Sequence, residues 1–211
     1  MRSSLKPLAT ALLLLSSGCA GNRPITLDAG TVDKGVYRNG YFGFSMPIPA
    51  GAEITSKAET NEFVSQGVKT VLDPKLDPKI VEEAKAGLTT LLFFYVKATA
   101  RKADDSVMVT VSAVKITPDM GFENPDDYVR QMTDMLKSGP AKAQPQGPAY
   151  SAQVGGRRFA AQDCSMSISG EPARITMMSA FMRGYAFILS TTYSNDAGRK
   201  RAQDVVSSAR F

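Results

Sequence analysis

Between Tyr150 and Tyr193 the chain is divided by glycine-bearing turns into four segments rich in apolar and β-branched residues. Tyr150–Val154 stops at Gly155-Gly156, Arg157–Ile168 at Ser169-Gly170-Glu171, and Ala173–Met182 at Arg183-Gly184, before a last segment Tyr185–Tyr193. Connections this short return each strand beside the one before it, and glycine supplies the positive φ of tight hairpins. A parallel neighbour would need a crossover of a dozen residues or more. The pattern therefore predicts an antiparallel meander, and the rest of the domain has to pack on it.

The remaining elements follow from periodicity and punctuation. Phe42, Phe44, Met46 and Ile48 alternate with Gly43, Ser45 and Pro47, the signature of a half-buried strand. Pro47 and Pro49 stop it, since neither has a ladder donor. Ala52 to Ser56 reads as a second short strand. Leu91–Val96 is a short apolar run, favoured as a central strand by its length and aromatic content rather than by periodicity. Val107–Ile116 is rich in β-branched residues. The charged stretch Arg101-Lys102-Ala103-Asp104-Asp105 between them predicts an antiparallel pair.

Val64, Val68, Val71 and Leu72 mark one face of a helix over 60–72, and a second short helix is read from Pro78 to about Leu88. The clearest helix is 125–137. Asn124 caps it, Pro125 suits its first position, Asp126 and Asp127 complement its dipole, and Tyr128, Val129, Met132, Met135 and Leu136 form its buried stripe. Residues 138–149, with three prolines and two glycines, read as a mobile loop and a candidate contact surface. Asn195–Ser208 reads as a last helix. The fold class is α+β, a single domain with a central antiparallel sheet of about six strands flanked by helices.

The N-terminus reads as an address. Arg2 and Lys6 precede a short apolar core, Pro7 to Leu15, and then Ser16, Ser17 and Gly18, which is the order of a secretory signal peptide over 1–18. About nine apolar residues fall far short of the ~20 needed to span a bilayer. Leu15-Ser16-Ser17-Gly18-Cys19 resembles the lipobox of bacterial lipoproteins, with Ser16 where that motif usually has leucine. The resemblance implies cleavage after Gly18, a diacylglyceryl group on the Cys19 sulfur, and acylation (palmitate or a similar chain) of the new amino group. Two or three acyl chains hold a protein firmly where one does not. In Gram-negative lipoproteins an aspartate after the cysteine retains the protein at the inner membrane; Ala20 stands there, which implies the periplasmic face of the outer membrane. Residues 19–36, polar, aperiodic and Gly/Pro-bearing, read as a flexible tether, and 37–211 as the folded domain.

Composition closes several routes. The chain has no histidine, which excludes Ser-His-Asp and Cys-His catalysis and histidine-ligated zinc. Of its two cysteines, Cys19 is assigned to lipid. Cys164 is left alone, with neither a disulfide partner nor a thiolate cluster. Loss of Arg2 and Lys6 with the leader lowers the net charge from +5 to +3. The lysines are scattered and there is no tryptophan, so nothing marks a nucleic-acid surface. No cofactor motif or calcium-loop spacing is present.

Tyr41-Phe42-Gly43-Phe44-Ser45-Met46-Pro47-Ile48-Pro49, the hairpin Val154-Gly155-Gly156-Arg157-Arg158-Phe159, and an ending that runs from Gly184-Tyr185-Ala186-Phe187-Ile188-Leu189 to Ser207-Ser208-Ala209-Arg210-Phe211 carry a wider likeness. Residues 37–211 resemble the PsbP-like superfamily, of the DcrB/LpqN type found among bacterial envelope lipoproteins. The chain departs from it at Ala52, where an aromatic usually follows Pro-x-Gly, and in a longer helical stretch over 57–88. The resemblance implies a central antiparallel sheet with helices packed on it (a PsbP-like α/β/α sandwich), used mostly in accessory and binding modules. Fold analogy does not fix function.

Candidate residues are weighed one by one. Cys164 shares strand parity with Ala160, Gln162, Met166 and Ile168 and reads as a buried small hydrophobe. Arg199-Lys200-Arg201 opposes the dipole at the start of the last helix. It reads as a solvated face with an Asp204 contact, or as a contact for an anionic partner. Arg157-Arg158 reads as a solvated hairpin. Asp104-Asp105, Asp126-Asp127 and Glu82-Glu83 read as loop, cap and helix surface. Met132, Met135, Met166, Met177, Met178 and Met182 read as packing rather than a copper site. The expected function is that of a lipid-anchored, non-enzymatic envelope module that binds a protein or envelope component. The alternative is an envelope hydrolase or acyl-transfer helper using Ser, Lys and Asp, although no Gly-x-Ser-x-Gly elbow or Ser-x-x-Lys is present.

Overall fold

The meander read from residues 150–193 is present strand for strand. The computed structural model describes residues 27–56, 58–60, 62, 87–97, 105–168 and 170–211. Among them, β8 (Tyr150–Val154), β9 (Arg157–Ile168), β10 (Glu171–Met182) and β11 (Tyr185–Tyr193) run antiparallel, with Thr176 opposite both Asp163 and Thr191. β11 continues onto β6 (Val107–Lys115), which pairs with β5 (Leu88–Val96), and β5 with the short β4 (Ala52–Ile54). At the other edge, β9 is long enough to hold two partners. β8 covers its first half, and β7 (Gln144–Pro145) covers Cys164 and Ser165. The sheet thus has eight strands. Six have five or more residues and two are short.

A small sheet of β1 (Thr31–Asp33), β2 (Val36–Asn39) and β3 (Phe44–Pro47) lies over one face of the large sheet. Beside it on that face lies helix α2 (Asp196–Ser207). Helix α1 (Pro125–Ser138) lies on the opposite face, over β9 and β10. Both helices are capped as expected: Asn124 accepts from the Asp127 amide and Asn195 from the Gly198 amide. Strand alternation sorts the core. Val107, Val109 and Val111 face the small sheet and α2 with Phe187, Leu189 and Met178. Cys164 and Met177 face α1 with Leu136.

Residues 27–36, read as part of a tether, are ordered in the described structure. β1 lies inside 19–36, and Leu27 already packs on the main core. What composition could not reveal is a set of polar contacts at close quarters. The Tyr37 hydroxyl donates to the Ala29 carbonyl at 2.9 Å, and Asn39 Nδ2 donates to the Asp28 carbonyl at 3.0 Å. Gly30 fits between them because it has φ +72° and no Cβ; a Cβ there would sit 2.5 Å from the Arg38 carbonyl oxygen.

Residues 138–149 also depart from the expected mobile loop. Ala141 and Ala143 are buried against Leu136, Cys164 and Met177, the Ala143 amide donates to the Leu136 carbonyl, and Gln144–Pro145 is β7. Counting prolines and glycines overlooked two alanines of like parity, small enough to lie flat on the sheet edge. Gln162, buried in β9, clamps this strap by donating to the Gly147 carbonyl at 3.1 Å.

Of the helix read over 60–72, only Thr60 and Glu62 are described, next to a capping box in which Ser56 and Glu59 exchange hydrogen bonds. The helix read from Pro78 lies outside the described residues except at its end, where Leu88 opens β5 instead.

Tyr37 is 1% exposed. Burial pushes its phenol up to about 12, the hydrogen bond with Asn39 opposing that rise and the Asp28 charge adding to it. A raised phenol favours the folded state only while it keeps its proton. Its contribution is complete below the unfolded value near 10 and is lost as pH climbs through about 12. Two units correspond to about 2–3 kcal/mol. The urea midpoint of the wild type should therefore fall between pH 10 and 12, and Tyr37→Phe should flatten that fall.

Candidate functional site

The strand parity that buries Phe159 and Ala161 also carries Asp163 inward, an acidic residue in the middle of a long strand. It meets the open edge of the α2 layer, where a cleft of about 240 Å³ is walled by Ala152, Val154, Met178 and Val206 on its apolar side. The Asp163 side chain is 18% exposed. Oδ1 accepts from Thr176 Oγ1 at 2.6 Å and from the Tyr150 hydroxyl at 3.2 Å, while Oδ2 faces Arg199 Nη2 at 3.4 Å. Thr176 spends its proton on Asp163. The hydroxyl of Tyr193, 3.2 Å away, must therefore be the donor in the Thr176–Tyr193 bond.

Tyr150 gives the direction of this chemistry. Burial, then the Asp163 charge, push its phenol up to about 12, so it remains a donor. The carboxylate is met by two hydroxyl donors and a guanidinium, which makes it an organised acceptor rather than a free base. The described lining includes one serine, Ser207, whose hydroxyl donates to the Asp204 carbonyl, and no lysine. The volume is below the ~300 Å³ at which drug-sized ligands are enclosed. It suits a side chain or a small polar group.

Arg199-Lys200-Arg201 is not brought together as one cationic patch. Successive helix positions turn by about 100°, so Arg199 points to Asp163 while Arg201 reaches the other flank of α2. There Arg201 donates to the Lys97 carbonyl at 2.7 Å and to Asp105 Oδ2 at 3.2 Å. Lys200 is exposed between them. The contacts go to Asp163 and Asp105, not to the Asp204 expected from sequence. The arginines that oppose the helix dipole are held by these carboxylates.

Cys164 is fully buried, and burial pushes its thiol up, helped by the Asp163 charge and opposed by the Thr133 hydroxyl. That suits packing, not nucleophilic chemistry. Met177 lies in the α1 cluster and Met178 and Met182 in the main core, on opposite faces of β10. Asp126 and Asp127 sit at the start of α1, where the Asp127 amide is capped by Asn124 and its carboxylate accepts from the Glu123 amide. Among the described residues no group of three potential ligands is placed to hold a metal. Cys19, Asp104 and Glu82-Glu83 lie outside the described residues. Sequence reasoning missed Asp163, Tyr150, Thr176 and Tyr193. The available signal was an aspartate inside a long strand, two and four places after Ala161 and Phe159, where aspartate is disfavoured.

No family model matches the chain, and a comparison with curated proteins finds no match. Solved structures do match. The solution structure of cyanobacterial PsbP (CyanoP) from Synechocystis superposes with a TM-score of 0.50 over 89% of this chain and 99% of that one, at 12% identity. The chain has the PsbP-like fold. That agrees with what the resemblance of residues 37–211 implies. LpqN of Mycobacterium tuberculosis, described as involved in cell envelope biogenesis, matches with a TM-score of 0.42 over 79% of this chain and 82% of that one, at 13% identity. No helix among the described residues of this PsbP-like chain is long and apolar enough to cross a membrane.

Proposed function

We propose that the protein is a non-enzymatic binding module of the bacterial cell envelope, anchored by lipid on Cys19 and recognising an envelope partner through the cleft between α2 and β8–β9. The observation that carries the binding role is the Asp163 network. Its donors and acceptor are fixed by one another beside an apolar wall, in a volume fitted to a protruding side chain. The anchoring role is supported by the lipobox-like Leu15–Cys19 and by the short span that follows. Seven residues lie between Cys19 and Leu27, eight steps along the chain, so the domain would be held within about 28 Å of the headgroups. Ala20, in place of an aspartate, favours the periplasmic face of the outer membrane in a Gram-negative cell.

Two measurements test the proposal. Mass spectrometry of protein purified from native membranes should find the chain beginning at an acylated Cys19, and Cys19→Ser should abolish that form. A partner crosslinked in native membranes should be recovered with the wild type and lost with Gln203→Trp, which fills the cleft. An unlipidated N-terminus would sink the anchoring role. Equal recovery with both proteins would sink the role of the cleft.

A further inference from the structure

Four exposed arginines that lie far apart in sequence gather around one short hairpin of the small sheet, one within it and the others against it directly or through Phe211. Arg38 is on β2, opposite Ser45 of β3, and Ser45 is in turn opposite Arg210, its amide donating to the Arg210 carbonyl at 2.9 Å. Directly opposite residues share a face. Thr31, Arg38, Ser45 and Arg210 thus form one row on the outer side of the small sheet. Arg183 places its guanidinium 5.4 Å over the ring of Tyr41, in the β2–β3 turn. Arg157 places its own 5.2 Å over the ring of Phe211, which packs on Phe44 at 5.1 Å. All four side chains are exposed, and none is ion-paired with a carboxylate of a described residue.

The chain leading from Cys19 arrives at the same hairpin. Asn39, beside the turn, bonds the Asp28 carbonyl with its side-chain amide, and its side-chain oxygen accepts from the Phe42 amide. The segment toward the leader therefore departs from the end of the domain that carries Arg38, Arg157, Arg183 and Arg210. Among the described residues three acids lie close by: Asp28 at the exit itself, Asp33 two positions from Thr31 on the same face of β1, and Asp126, paired with Arg158 at 3.8 Å.

We propose that this arginine-bearing end is a docking surface for the anionic headgroups of the membrane that holds the lipid. The proposal rests on the anchoring at Cys19 set out above. The span from Cys19 to Leu27 keeps the patch near the surface, and guanidinium groups from β2, the start of β9, the β10–β11 turn and the chain end present planar donors to phosphate, although Nη1 of Arg210 is already shared with the Ser207 and Ala209 carbonyls. The domain then stands with this end of β10 toward the bilayer. The tip between β9 and β10, a β10 length of about 35 Å from Arg183, points away from it.

The test uses lipidated full-length protein reconstituted in vesicles of phosphatidylcholine alone or mixed with phosphatidylglycerol. A fluorophore is placed at Thr31→Cys or, as the distal control, at Glu171→Cys, and quenched by headgroup spin-labelled lipid. Cys164 is buried and will not compete for label. The Thr31 label should be strongly quenched only with phosphatidylglycerol, and the Glu171 label in neither. Each basic group near an anionic surface changes surface partition about fivefold. Joint replacement of the four arginines by glutamine should lower quenching to the phosphatidylcholine level while the protein stays on the vesicles. Added salt should do the same to the unsubstituted protein, a readout that needs no variant. Retention on vesicles with Thr31 quenching indifferent to lipid charge, salt and the arginines would overturn the docking surface alone. Failure to remain on either vesicle would overturn the anchoring as well.

Discussion

Replacing Phe187 with alanine should lower the free energy of unfolding by about 3–5 kcal/mol. Phe187 is fully buried on β11, and its ring lies 5.0 Å from Phe42, 5.0 Å from Phe44, 5.7 Å from Phe211 and 6.2 Å from Phe159. Those four rings come from the β2–β3 turn, β3, the chain end and β9. Each segment is fixed by its own backbone hydrogen bonds, so the space left by a missing ring cannot close by moving one neighbour. Edge-on contacts of about 0.5–1.5 kcal/mol each are lost in addition to the burial. Urea denaturation followed by circular dichroism measures the effect. Val32→Ala, at a side chain 43% exposed, should change the midpoint little. A loss below about 1 kcal/mol for Phe187→Ala would show that the layers are not joined through this ring.

Gly155→Ala should cost more than alanine at any other described hairpin-turn glycine, about 2–4 kcal/mol. Gly155 has φ +56°, and a Cβ there would sit 2.8 Å from Arg210 Cα and 3.1 Å from the Ala209 carbonyl oxygen, both backbone atoms with no flexible end to yield. To admit a methyl group, the chain end must lift. That opens the Ser45–Arg210 bridge and draws Phe211 away from Phe44 and Phe159. Gly156 supplies the control. Its φ is +82° but nothing lies within 4 Å of the position a Cβ would take, so alanine there costs only the left-handed strain of roughly 1–2 kcal/mol. Unfolding free energies of the two variants, with carboxypeptidase digestion as a probe of the chain end, separate steric displacement from strain. Equal costs would refute the close approach at Gly155.

The sequence displayed its local rules well and its long-range ones poorly. The meander was legible because glycine turns and apolar alternation act within a few residues, and Asn124 and Asn195 cap the helices by contacts three residues long. The pairing of β4 with β5 was not legible, nor was that of Ser45 with Arg210, because pairing partners leave no mark in either segment alone. Residues 27–33 looked like linker because their order depends on Tyr37 and Asn39 rather than on their own apolar content. The candidate cleft was hidden for the same reason. Tyr150, Asp163, Thr176, Tyr193 and Arg199 meet only once β8 through β11 and α2 are in register. Sequence brought forward the arginine run at 199–201 instead, which the helix distributes around its circumference.

Ser45 and Arg210 stand 165 positions apart, yet each donates its amide to the other's carbonyl. Closing so large a loop is entropically expensive and slow. The small sheet can pair its own strands early, but the outer edge of β3 stays open at Ser45 until nearly the whole domain is available. A polypeptide appearing N-terminus first would form this hairpin early yet carry one edge of it unclosed while the rest of the chain follows. Locking would come only when the final residues arrive to cap that edge.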